Sequence, residues 1–148
     1  MTALNKTIIG CIESCSLPDL GINNINVRVD TGAKTSSLHV DDLKKYVKDG
    51  VTRVQFDIHP DVHNVSRIVT CHAKVADIRK IKSSNGESEY RYVIKTPIHL
   101  GAHVWDIEIT LTNRADMSYL MLLGREGLGD LFLVDPSVVF LFDEPNVT

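Results

Sequence analysis

Residues 25–33 read Ile25-Asn26-Val27-Arg28-Val29-Asp30-Thr31-Gly32-Ala33. Apolar and polar side chains alternate as far as Val29, the period of a half-buried strand, and the strand then runs into an aspartate, a hydroxyl residue and a glycine. Asp30 is thereby placed on a tight loop at a strand's end, followed by the small and hydroxyl residues Ala33, Thr35, Ser36 and Ser37. The triplet alone says little, because average composition produces an Asp-Thr-Gly in roughly a few per cent of chains this long. An aspartate at a strand's end commonly does no more than cap a turn. Its surroundings decide between the two readings.

The same alternation recurs in Val54, Phe56, Ile58 and in Trp105, Ile107, Ile109, Leu111, with Asp106, Glu108 and Thr110 between the latter. This predicts strands of an antiparallel sheet with one wet face. Further strands are expected over Lys6 to Ile12, Arg67 to His72, Tyr119 to Leu123 and Val138 to Phe142. Two β-rich runs between Lys74 and Lys95 flank Ser83-Ser84-Asn85-Gly86, and Asn-Gly is a strong hairpin signal, so a long hairpin is predicted there. Helical patterns are scarce. Asp41 to Lys48 fits two turns and Arg125 to Phe132 one or two, although Gly127 and Gly129 weaken the second. The fold class is mainly β, and no repeat or linker divides residues 1–148, which are read as one domain.

At 148 residues and 43% hydrophobic content, a chain of this size can bury roughly 70% of its unfolded surface. A net charge of -3 gives no global basic field, so nucleic acid is not an expected partner. Met1 to Ile12 has neither the basic start nor the apolar run of a secretory signal, and no stretch approaches the ~20 apolar residues of a membrane span. A cytoplasmic chain without membrane attachment is expected. Cys11, Cys15 and Cys71 are an odd number in a chain large enough for its own core, and are read as reduced thiols.

About ninety residues after Asp30 comes Leu122-Leu123-Gly124-Arg125, an apolar pair and a glycine at the end of a second apolar strand. A catalytic triplet, a hairpin, then two apolar residues and Gly-Arg before a short helix: in this order the chain resembles the retropepsins from about Ile25 to Asp135. More narrowly, VDTGAKTSSLH (Val29 to His39), SSNGESEYRY (Ser83 to Tyr92) and LTNRADMSYLMLLGR (Leu111 to Arg125) are similar to a bacterial family of retropepsin-like proteins. That family is often labelled ATP-dependent zinc proteases, and some members work beside ribosomal-protein glutamate ligases. The resemblance implies a closed retropepsin-like barrel with a flap hairpin and one or two short helices. It also implies an aspartic endopeptidase with Asp30, Thr31 and Gly32 as the catalytic triplet.

Two carboxylates about 3 Å apart cannot both ionise, so they share a proton and one acts as base while the other acts as acid. This chain has one such triplet, so the second aspartate must come from another copy, on the axis of a two-fold homodimer. By resemblance, Thr31 hydrogen-bonds across the two loops, Gly32 gives the backbone room beside substrate, and Gly124 packs over the catalytic loop. Substrate contacts are expected from Ala33, Lys34, Arg79, Arg91, Gly124 and Arg125.

Viral retropepsins usually carry an acidic residue where this chain has Lys34, paired with the arginine of Gly-Arg. Arg125 must then turn to Glu126 or Asp130, or stay free, and Lys34 is expected close to bound substrate. Residues 66–95 hold seven cations against three carboxylates, a net +4, which leaves -7 on the remainder. An acidic peptide is therefore the expected substrate, and the narrower family resemblance implies that it is glutamate-rich. A solvated hairpin guarding its edges with charge is an equal explanation of the same residues.

Two alternatives stand beside the peptidase. One is an inactive dimer of the same fold that binds acidic peptides without cutting them. The other is a zinc protease using His59 and His63, or His72 beside Cys71, but there is no His-Glu-x-x-His and Pro60 interrupts the first pair, so no metal ligand is assigned. Gly32-Ala33-Lys34-Thr35 resembles the end of a phosphate loop only faintly, with alanine before the lysine and Arg28 where the first glycine belongs. No cofactor is expected.

Overall fold

The structure, a computed structural model, describes residues 6–60, 66–82, 85–113 and 119–142. Twelve strands carry the described fold. They are β1 Thr7–Gly10, β2 Ile12–Leu17, β3 Ile22–Val29, β4 Ser36–His39, β5 Asp41–Lys48, β6 Val51–Ile58, β7 Val69–Lys74, β8 Asp77–Lys82, β9 Ser88–Leu100, β10 His103–Thr112, β11 Met121–Leu123 and β12 Phe132–Asp135. Six of them close a barrel in the order β10-β4-β11-β3-β2-β9, with β9 returning to β10. Closure leaves the barrel strands no free edge. The inward side chains of β3 (Ile22, Ile25, Val27, Val29) and of β10 (Ile107, Ile109, Leu111) are buried there with Leu38, Ile94, Ile98, Met121 and Leu123. No described helix is long and apolar enough to cross a membrane.

β9 is the longest strand because it does two jobs. Its second half pairs with β10 in the barrel, while its first half extends beyond the wall and pairs with β8 in the predicted hairpin. That hairpin begins at Asp77 rather than Lys74, which belongs to β7. Lys82 faces Ser88, so five residues connect the strands instead of a two-residue turn, and Ser83 and Ser84 lie outside the described residues.

The segment expected to form two helical turns, Asp41 to Lys48, is strand β5. Its Leu43, Tyr46 and Val47 imitate a helical stripe, but Asp49 and Gly50 both take positive φ (53° and 76°) and close a two-residue turn onto Val51. Asp-Gly in that conformation matches the twist of paired strands and forces a hairpin. β5, β6 and β7 then form a separate three-stranded antiparallel sheet that buries Val54, Phe56, Ile58 and Cys71 against the barrel core.

The other helix is shorter than expected. It spans Arg125–Leu128 (α1) and stops at Gly129, after which Phe132 enters β12. Val138 to Phe142 is not a strand: Phe140 has φ 52°, and the segment is tied down irregularly by Cys11 N–H to Val138 O (2.9 Å) and Phe140 N–H to Ile12 O (2.8 Å). The fully buried carboxylate of Glu13 holds the same segment, accepting from Gly10 N–H (2.7 Å) and Leu141 N–H (3.1 Å). Thr110, expected on a wet face, is buried, and its hydroxyl donates to Ser36 O (3.0 Å) on the neighbouring strand β4.

Nothing lies within 4 Å of a Cβ built on Gly50, so Gly50→Ala tests the turn's backbone alone. We expect the substitution to lower the unfolding free energy by about 1 kcal/mol, the cost of a non-glycine residue in left-handed backbone. Denaturant titration checks this; an unchanged midpoint would mean that the turn does not need its positive φ.

Candidate active site

The Asp30 loop is held by its own backbone and by the loop that follows β11. Asp30 N–H donates to Leu123 O (2.9 Å), continuing the parallel β3–β11 pairing past the last strand residue. Gly32 N–H then donates to Asp30 Oδ1 (3.0 Å), and Ala33 N–H to Asp30 O (3.2 Å). The carboxylate is thereby fixed at the loop's apex, half-buried, with Thr31 and Gly32 exposed beside it.

From the other side, Arg125 N–H donates to Ala33 O (2.8 Å), Glu126 N–H to Lys34 O (3.1 Å), and Gly124 N–H to Ser36 Oγ (3.0 Å). A Cβ on Gly124 would stand 2.7 Å from the Thr35 carbonyl and 2.9 Å from Ala33 O. Only glycine lets the two loops approach this closely. The Arg125 guanidinium reaches neither Glu126 nor Asp130. Its Nη1 donates to the carbonyls of Thr31 (3.1 Å) and Gly32 (3.2 Å), so a charged donor braces the triplet's backbone where an acidic side chain was missing. Trp105 Nε1–H donates to Gly127 O (2.8 Å) and seats the short helix against the barrel.

Beside this loop lies a cavity of about 860 Å³ lined by Ala33, Lys34, Thr35 and Ser37, by Arg79 to Lys82 of the hairpin, and by Arg91, Leu122 and Glu126. The expected substrate contacts Ala33, Lys34, Arg79 and Arg91 thus share one cavity, whereas Gly124 and Arg125 sit behind the loop as braces.

The cations are not equal. Arg79 is engaged by Glu108 (2.8 Å) and Asp77 (2.9 Å), which raise its pKa, and its guanidinium in turn holds the Asp77 carboxyl below the usual range. Arg91, only 8% exposed, is bound to Glu89 at 2.5 Å. Lys34 lies 3.9 Å from Glu126 with both side chains mostly in solvent, a weak pair. Lys80 and Lys82 have no ion-pair partner among the described residues.

His59 and His39 both approach Asp41 (3.3 and 3.8 Å), and His63 lies outside the described residues. Strand alternation sends Cys71 into the core and His72 outward, so these neighbours cannot serve one metal ion. Burial, then the Asp57 carboxylate, pushes the Cys71 thiol up to about 11. Lys34 and Thr35 run into strand β4 rather than a helix, so no phosphate-loop geometry forms there.

Sequence reasoning missed Ser36, whose hydroxyl receives Gly124 N–H, and Glu126, which faces Lys34. The hydroxyl run Thr35-Ser36-Ser37 was the available signal for the first. The second had none, since its role depends on where α1 starts.

The sequence model of the family described as RimB-like, retropepsin-like aspartic endopeptidase RimB, matches residues 8–145. A Shewanella halifaxensis protein named probable alpha-L-glutamate ligase is 49% identical over 142 residues, 96% of this chain and 31% of that protein. A Desulfotalea psychrophila protein of the same name is 48% identical over 133 residues, 90% of this chain and 29% of that one. The chain therefore spans about three-tenths of the length of these relatives. The crystal structure of a Legionella pneumophila protein of unknown function, assigned to DUF785, superposes with a TM-score of 0.78 at 28% identity, covering 93% of this chain and 98% of that one. The loop geometry, the closed barrel and a family match over nearly the whole sequence lead to one conclusion: the chain belongs to the RimB-like family of retropepsin-like aspartic endopeptidases.

Proposed function

We propose that the protein is an aspartic endopeptidase, active as a homodimer, that cuts acidic or glutamate-rich polypeptide segments. The observation that carries the reading is the fixed Asp30 carboxylate on an exposed loop, next to a cavity that holds Lys34, Lys80 and Lys82.

Asp30 from each copy would meet at the two-fold axis and share one proton. The ionised partner takes a proton from a water between them as its oxygen attacks the scissile carbonyl. The protonated partner hydrogen-bonds the developing oxyanion. The tetrahedral intermediate then collapses, the C–N bond breaks, and the leaving nitrogen takes a proton from the dyad. Arg125 and Gly124 act as positioning residues, since they hold Thr31 to Thr35 rather than substrate.

The substrate class rests on charge. The arginines in the cavity are matched by internal carboxylates, whereas Lys34 has only the weak Glu126 pair and Lys80 and Lys82 have no ion-pair partner among the described residues, which leaves them for a ligand's carboxylates. The relatives named probable alpha-L-glutamate ligase support the same class, since their name points to chains that carry glutamate.

Incubation with glutamate-rich peptides, followed by mass spectrometry, tests the reading. We expect cleavage by the unsubstituted protein and at least a thousandfold loss in Asp30→Asn, with folding and dimerisation retained, because the substitution keeps shape but removes the acid-base cycle. Peptide that is retained intact would favour a binding dimer, and undiminished turnover by Asp30→Asn would end the aspartic mechanism.

Lys34→Asp tests recognition. It puts a carboxylate beside Glu126 and the cavity, and a close charge pair at an effective dielectric near 20 interacts by up to about 4 kcal/mol before screening. After screening we expect roughly one to two orders of magnitude lower specificity for acidic over neutral peptides, shrinking as salt rises. Equal losses on both peptides, independent of salt, would make Lys34 a structural residue only.

A further inference from the structure

A second basic site lies on the outer face of the β5-β6-β7 sheet, and it shares no lining residue with the cavity beside Asp30. There a cleft of about 770 Å³ is bordered by Tyr46 and Lys48 of β5, Arg53 and Gln55 of β6, and His72 and Lys74 of β7, with Asp49 of the β5–β6 turn and Val51 at its rim. Alternation explains its composition: Val54 and Phe56 point into the core, which sends Arg53 and Gln55 outward. Register places Tyr46, Arg53 and Lys74 in one row across the three strands.

Arg53 and Lys74 are direct cross-strand neighbours, and like charges so placed destabilise a sheet. The hairpin contains a comparable pair, Arg79 opposite Arg91, but there Asp77, Glu108 and Glu89 offset the repulsion. On the outer sheet no described carboxylate makes an ion pair with Lys48, Arg53 or Lys74. The nearby Asp57 carboxylate instead accepts from Thr70 Oγ1 (2.8 Å). Arg53 Nε–H donates to Tyr46 Oη (3.3 Å), and Tyr46 Oη lies 3.2 Å from His72 Nδ1. The cleft therefore joins three cations without an ion-pair partner among the described residues to a fixed hydroxyl and an amide, against the single carboxylate of Asp49, in a chain whose net charge is -3.

We propose that this face is a second binding site for an acidic polypeptide in extended form, holding the substrate away from the bond that is cut. It rests on the reading of the chain as acting on acidic polypeptides. An extended peptide presents alternate side chains roughly 6.5–7 Å apart, the same repeat that separates His72 from Lys74 on one face of their strand. Nucleic acid fits less well. The cleft has one six-membered aromatic ring, Tyr46, in T-shaped contact with His72 (6.1 Å between centroids, 83°), and so lacks the row of aromatic faces on which successive bases stack.

The test uses the isotope-labelled full chain carrying Asp30→Asn, titrated with an end-capped glutamate octapeptide and, separately, with an oligothymidylate of equal charge. We expect the peptide to shift the amide resonances of Tyr46, Arg53, Gln55 and Lys74 as one set, and those of Ala33 to Ser37 as another. Lys48→Glu with Lys74→Glu, two exposed side chains, should weaken the first set about tenfold or more at low ionic strength and leave the second within about twofold.

Shifts confined to Ala33–Ser37 and the hairpin would overturn the second site while sparing the proposed function. Tighter binding of the oligothymidylate to the sheet would overturn its assignment to polypeptides. Failure of the proposed function would show separately, as no cleavage of the same peptide by the unsubstituted protein while the sheet still binds it.

Discussion

The absent side chain at Gly124 is the constraint on which the rest of the site depends. With the Thr35 carbonyl 2.7 Å from the place a Cβ would occupy, two loops from distant parts of the sequence can exchange backbone hydrogen bonds directly. Those bonds set the height of the Asp30 loop above β3 and the start of α1. The position of Lys34 relative to the hairpin cations follows from both. Backbone bonds of this kind vary little with side-chain motion, which suits a carboxylate that must be placed to within a fraction of an ångström.

Arg125 shows how the site tolerates a changed partner. Lys34 stands where an acidic residue would ordinarily receive the arginine, yet the guanidinium is not orphaned, because the carbonyls of Thr31 and Gly32 accept from it. A planar, always-charged donor can satisfy two carbonyls at once, which lysine could not do as well. The loop keeps its brace, and the position after Ala33 becomes free to carry a charge toward the cavity.

Charge is distributed by the same logic. The hairpin arginines, close to or inside the protein surface, are matched by carboxylates because an uncompensated charge there would cost too much. The exposed lysines at both basic clefts are left unmatched or weakly matched, since solvent screens them. An acidic protein can in this way present two local basic surfaces.

Period-two alternation was enough to read β3, β6 and β10, and Asp-Thr-Gly followed by Leu-Leu-Gly-Arg was enough to read the family, because both are local patterns written in consecutive residues. Asp41 to Lys48 defeated that approach: its apolar spacing suits a helix, and only the Asp49-Gly50 turn and the waiting edge of β6 make it a strand. Thr110 was misplaced for a related reason, since alternation says which residues share a face but not whether that face is covered. Which cations are matched, that Ser36 receives Gly124 N–H, and that Arg53 faces Lys74 are facts of register and closure. Such contacts join residues tens of positions apart, and sequence spacing carries no information about them until the barrel has closed.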